Sequence, residues 1–174
     1  MTGVICIPLI LLLFDWIDMF IIIQLPSSWT PIMIKVELRA ATIPGLPGII
    51  ADHYWLLILR GLDSSHYQTC DRWEVWQRSR QNDSCWGHLH RNLLAPCQGV
   101  GNGPSRLIQD WLGDEALLLV HKIESSPCTY PFTQKYRYWP GPNSNTFAQW
   151  IVKDVMELNS RAIGKGFPVP ESFE

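Results

Sequence analysis

The amino-acid sequence predicts an α+β domain in which an antiparallel sheet from the first half packs against helices from the second, preceded by an N-terminal hydrophobic helix. Three observations carry this. Alternation and short apolar runs fill residues 32–93, apolar residues recur at helical spacing from residue 105 onward, and residues 4–23 are apolar except for Pro8, Asp15 and Asp18. A chain of 174 residues that is 47% hydrophobic and 17% charged buries a core without disulfides or a structural metal. The same composition excludes a disordered chain and a polytopic membrane protein.

The run Val4–Ile23 has the length of a bilayer crossing. Its two aspartates, at about +3 kcal/mol each near the centre of a span, cancel most of the apolar gain. They stand at i and i+3, on one helical face, which a helix lying in the membrane interface or pairing with another protein tolerates. No Lys or Arg precedes Lys35, so a cleaved signal peptide fits poorly, and Lys35 with Arg39 just after the run places the main domain on the cytoplasmic side. Residues 1–31 are therefore a hydrophobic membrane-associating segment and linker, residues 32–174 a single α+β domain, and the predicted location is a membrane.

The domain opens on strict alternation over Ile32–Arg39, the pattern of a half-buried strand. A Pro44-Gly45-Pro47-Gly48 turn follows. Ala51–Leu59, ADHYWLLIL, is apolar, aromatic and short, hence a buried strand; Arg72–Gln77 is a third strand and Trp86–Leu93 a fourth. In the second half, Leu107, Ile108, Trp111 and Leu112 predict a helix over 105–112 with Ser105 as N-cap and Gly113 as its stop. A second helix is predicted over 114–125. Tyr130–Trp139 is interrupted by proline and extended. A last helix starts at Asn143 to Thr146 and buries Phe147, Trp150, Ile151, Val155 and Leu158.

Charge carries no footprint for nucleic acid, with 14 basic against 16 acidic residues. The five cysteines, Cys6, Cys70, Cys85, Cys97 and Cys128, form no C-x-x-C pair and no Cys/His cluster at zinc-finger spacing, so no metal site and no cofactor is predicted. The glycine-rich stretch 99–104, GVGNGP, lacks the pattern of a phosphate loop and is a plain loop.

Two features can carry chemistry. In YWPGPNSNTF, residues 138–147, a Pro-Gly-Pro turn delivers Asn143, Ser144, Asn145 and Thr146 onto the start of a helix. Read as structure, Asn143 or Ser144 caps the helix. Read as chemistry, a hydroxyl there sits among unpaired backbone N–H groups that favour a nucleophile or an oxyanion. The second feature is His53 inside an otherwise apolar strand. Alternation puts His53 and Trp55 on one face, and an imidazole fixed between aromatic residues suits a general base. Glu74 and His66 are candidates to orient it, with His88 and His90 behind them.

The strings DHYW, RWEVW, YPF, YRYWPGPNSNTFAQW and RAIGKGF, in this order from about Val36 to Phe167, resemble an uncharacterised family, domain of unknown function 3750, found mainly in bacterial membrane-associated proteins. The order His53 and then Asn143-Ser144-Asn145-Thr146-Phe147 is similar, more remotely, to circularly permuted papain-like proteins of the lecithin:retinol acyltransferase and NlpC/P60 kinds. Those carry a histidine on an early strand and a nucleophilic cysteine in an Asn-Cys-x-x-Phe string. That resemblance implies a papain-like cleft; this chain departs from it by having Ser144 where the cysteine stands, and a serine hydroxyl needs a well-placed base to act.

Two functions are open. The cleft binds a lipid, peptide or protein partner without catalysis, which the missing cysteine favours. Alternatively the domain is a serine-dependent amide or ester hydrolase or acyltransferase with Ser144 as nucleophile, His53 as base and Glu74 as orienter. Asn143 and Asn145 would then belong to the oxyanion site, and Trp55 and Trp139 would line the cleft.

Overall fold

A computed structural model describes residues 32–63, 66–79 and 83–170. The expected N-terminal helix, and the membrane-associating segment that contains it, lie outside these residues. Among the described residues no helix is long and apolar enough to cross a membrane.

Six strands form one antiparallel sheet: β1 (Met33–Thr42), β2 (Asp52–Asp63), β3 (His66–Val75), β4 (Cys85–Trp86), β5 (Leu89–Arg91) and β6 (Arg106–Leu112). Their order across the sheet is β4-β5-β3-β2-β1-β6. Two helices follow, α1 (Gly113–Thr129) and α2 (Ser144–Val152). The class is α+β, with strands before helices.

Strand alternation divides the sheet into two buried faces. Val36, Leu38, Ala40, Tyr54, Leu56, Ile58, Trp73 and Val75 meet Ala116, Leu119 and Ile123 of α1 and Phe147, Ala148 and Ile151 of α2 in the main core. On the opposite face Ala41, Trp55 and Leu57 close a smaller core with Val100 from the loop before β6. This double burial is why Tyr54–Leu59 reads as an unbroken apolar run rather than an alternating one.

Two predicted elements are different in the structure. Residues 105–112 are not a helix: β6 pairs antiparallel with Lys35–Ala40 of β1, across a bulge between Leu38 and Arg39. The apolar residues that mimic a helical face do not share one. Trp111 is buried while Leu107 and Leu112 are exposed, and Asp110 pairs with Lys35 at 3.2 Å. Gly113 then ends a strand rather than a helix; its φ of 61° turns the chain into α1. The predicted fourth strand is two short ones, β4 and β5, folded back at Gly87 (φ 65°) and His88. Tyr130–Trp139 is irregular and holds no strand.

Helix α1 runs past its predicted end and through Pro127. Proline has no N–H for the Ile123 carbonyl, and the Ser126 hydroxyl donates to that oxygen instead, at 2.6 Å. Helix α2 is capped by Asn143, whose Oδ1 accepts from Asn145 N (2.9 Å) and Thr146 N (3.1 Å), while Thr146 Oγ1 accepts from Asn143 N in return. Phe147 and Ile151 are buried as predicted, Trp150 is half-buried, and Val155 is exposed.

The carboxyl-terminal loop is tied to the start of β2 through Asp52, whose side chain is fully buried. Arg161 reaches it through Nε (2.9 Å) and Nη2 (3.1 Å), Arg106 adds a further ion pair, and Thr42 Oγ1 donates to it at 3.2 Å. Burial works to raise the Asp52 pKa, but the hydrogen bonds from Arg161 and Arg106 outweigh it and hold the carboxyl below the usual range. A depressed carboxylate stabilises the fold above its unfolded pKa, near 3.8, and loses that contribution as pH falls through the folded value. Urea unfolding of the wild type is therefore expected to lose midpoint between pH 6 and pH 3. Asp52→Asn should be weaker at pH 6 and show a shallower fall.

Candidate functional site

The site forms where β2 and β3 part. Their pairing reaches Leu56 opposite Trp73, and beyond it the β2 edge is taken over by a side chain from α2. Asn145 Oδ1 accepts from Tyr54 N (3.1 Å), and Asn145 Nδ2 donates to Asp52 O (2.9 Å) and Ile163 O (3.0 Å). One carboxamide thus stands in for a neighbouring strand and brings the α2 N-terminus against the residues on either side of His53.

The face of the sheet turned away from the helices carries the charged groups. Alternation along RWEVW puts Arg72, Glu74 and Trp76 on that face, beside His53 and Trp55 of β2. His53 Nε2 lies 2.8 Å from Glu74 Oε2. Arg72 Nη2 donates to the same oxygen at 2.8 Å, and Arg72 Nε pairs with Glu74 Oε1 at 2.8 Å. Arg72 and Glu74 are both fully buried. The guanidinium lies 4.1 Å above the Trp55 ring, and its Nη1 donates to the carbonyls of Ala95 and Gln98.

This arrangement sets the imidazole's tautomer. Burial alone would raise the Glu74 pKa, but the hydrogen bond and charge of His53, together with Arg72, bring it below its ordinary value. An ionised carboxylate only accepts, so Nε2 donates to it, and Nδ1 carries a lone pair only in the neutral form of the ring. Edge-on contact with Trp76, at a ring separation of 5.1 Å, and the Trp55 ring at 5.8 Å hold the imidazole in place.

His53 borders a cleft of about 300 Å³ with Trp76, Tyr136, Tyr138, Ile43 and Pro44. No side chain of its lining carries a full charge at neutral pH when His53 is neutral. Thus the cleft can accept an apolar or aromatic group, and His53, Gln77, Tyr136 and Tyr138 are the lining residues whose side chains can hydrogen-bond strongly to it.

The predicted residues separate accordingly. The structure brings His53 and Glu74 into direct contact. Ser144 is 5% exposed, and its hydroxyl donates to Asn145 Oδ1 at 3.4 Å rather than to the His53 ring. Asn143 spends its side chain on the helix cap and on the carbonyls of Tyr138 and Ile163, and Asn145 on the strand edge. Trp55 is fully buried under Arg72, whereas Trp139 is 74% exposed, and neither lines the cleft. His66 starts β3 at the far end of the hairpin from His53. His88 Nδ1 donates to Trp76 O at 2.9 Å, and His90 lies against Cys85. Sequence reasoning missed Arg72 and the cleft residues Trp76, Tyr136 and Tyr138. The first and second were open to it, since RWEVW alternates. The tyrosines come from an irregular segment without a period to read.

Among the described residues no group of three or more His, Cys, Asp or Glu side chains could hold a metal ion. Fold and site together define a small α+β domain whose six-stranded sheet carries a buried histidine–carboxylate–guanidinium network beside an aromatic cleft. The chain belongs to the family described as "Protein of unknown function (DUF3750)", whose model matches residues 33–167. No curated protein and no solved structure matches it.

Replacing Glu74 by Gln leaves the Arg72 guanidinium buried without its counter-charge, at an expected loss of about 3–5 kcal/mol in urea unfolding. In the wild type, nitrogen-15 shifts of the imidazole ring should report the Nε2–H form for neutral His53.

Proposed function

We propose that the domain is a binding module, with a papain-like cleft that takes up an uncharged apolar or aromatic group of a lipid or peptide and accepts one hydrogen bond from it at His53 Nδ1. The observation that carries this reading is the lining of the cleft: aromatic and aliphatic walls, no Asp, Glu, Lys or Arg, and one imidazole whose Nε2 faces Glu74. A membrane-proximal site suits such a ligand, and the apolar run Val4–Ile23 supports that placement.

Serine-dependent acyl transfer is the second reading. It would require the α2 N-terminus, clamped to the strand on both sides of His53 through Asn145, to present Ser144 to the imidazole. Against it stand the burial of Ser144 and the turn of its hydroxyl toward Asn145.

Two neutral probes test binding, 1-monooctanoylglycerol and the blocked dipeptide N-acetyl-leucyl-tyrosinamide. A saturable change in the NMR resonances of Trp76, Tyr136 and Tyr138 with at least one probe is expected, weakened about fivefold or more in His53→Ala by loss of the accepted hydrogen bond. Unchanged cleft resonances with both would reject the reading. A fluorophosphonate probe should leave the folded protein unlabelled. Labelling that disappears in Ser144→Ala would reverse the order of the two functions.

A further inference from the structure

A second pair of reactive side chains lies on the short strands at the edge of the sheet, outside the His53 cleft. The sequence Cys85-Trp86-Gly87-His88-Leu89-His90 folds as a hairpin with a two-residue turn, and Gly87 is required there. Its φ is 65°, and a Cβ would meet Thr133 O at 2.3 Å. The turn length sets the register, placing Cys85 directly opposite His90. Cys85 Sγ lies 2.7 Å from His90 Nδ1.

The other ring nitrogen, His90 Nε2, faces the Arg78 carbonyl at 3.1 Å. A carbonyl only accepts, so Nε2 carries the proton and Nδ1 presents its lone pair to the thiol. This is the order nucleophile, base, orienting group, all within hydrogen-bond reach. His90 is fully buried, which holds the ring in place, whereas Cys85 is half-buried on the outermost strand of the sheet.

We infer that Cys85 and His90 form a nucleophilic thiol site that takes low-molecular-weight disulfides. His90 Nδ1 accepts the Sγ proton, and the Cys85 thiolate attacks one sulfur of the disulfide. A new S–S bond forms to Cys85, the old S–S bond breaks, and the second sulfur leaves as a thiolate. The proton stays on the imidazolium and passes to solvent or to the leaving thiolate. Cys85 is reduced at the start and the incoming disulfide is the oxidant, so the exchange balances without a further redox partner. The site is independent of ligand binding at His53.

The remaining described cysteines make the test sharp. Cys97 and Cys128 are exposed and Cys70 is half-buried, its thiol pushed up to about 11 chiefly by burial. Accessibility alone therefore ranks Cys97 and Cys128 ahead of Cys85, whereas activation by a base ranks Cys85 first. Intact protein is exposed to sub-stoichiometric 5,5′-dithiobis(2-nitrobenzoate) at pH 7, and the modified peptides are mapped by mass. Cys85 is expected to react first, at least about tenfold faster than Cys97 or Cys128. That fast phase should vanish in Cys85→Ser and fall by a similar factor in His90→Gln. Modification of Cys97 or Cys128 ahead of Cys85 in the wild type overturns the inference, and this ranking stands whether or not the His90 variant folds. A folded His90→Gln protein with unchanged Cys85 reactivity overturns it as well.

Discussion

The ion pair between Arg72 and Glu74 is the constraint on which the rest of the site depends. Two opposite charges removed from water are tolerated only when each finds close partners, because desolvation otherwise costs several kcal/mol per ion. Here the guanidinium meets a carboxylate, two backbone carbonyls and an indole face. The carboxylate meets the guanidinium and an imidazole at Oε2, and its Oε1 lies 2.8 Å from Arg72 Nε. Satisfying Arg72 pins the loop through Ala95 and Gln98, and satisfying Glu74 pins His53. The orientation of the imidazole at the cleft is thus a by-product of neutralising a charge beneath it.

The long motifs of the carboxyl-terminal third build the platform for this network. Asn143 caps α2 and reaches the Ile163 carbonyl, Asn145 closes the open edge of β2 and bonds the same carbonyl, and Thr146 Oγ1 donates to Gly164 O at 2.7 Å. Gly164, with φ 94°, passes so close that a Cβ would lie 2.3 Å from Asn143 Nδ2. The strings NSNTF and AIGKG are therefore two halves of one hydrogen-bonded joint. Four polar residues in a row at a helix start look like a catalytic string, yet three of them have their side chains committed to holding the helix against the sheet.

How much was legible follows from how local the cause is. The cap of α2 and the buried strand around His53 are set by neighbours within a few residues, so local pattern finds them; the face shared by Arg72, Glu74 and Trp76 is equally local, yet only Glu74 of it is singled out by the sequence reading. Residues 105–112 resemble a helix in sequence because an edge strand with one buried residue has no face for its pattern to report. The β4–β5 hairpin reads as one strand because a Gly-His turn between strands of two and three residues leaves too short an alternation to divide.

By itself, the sequence determined the class of the fold, the order of strands before helices, the early histidine and the capped late helix, since each rests on a period or a cap confined to one segment. Only the tertiary structure decided which polar groups meet. The contact of His53 with Glu74 and the charge of Arg72 that stabilises it exist because antiparallel pairing aligns β2 with β3. The engagement of Asn145 with β2 exists because the strands part where the helix arrives. Such meetings are fixed by register and by the cost of leaving a buried charge or a strand edge unpaired, and neither quantity is written in any single stretch of the chain.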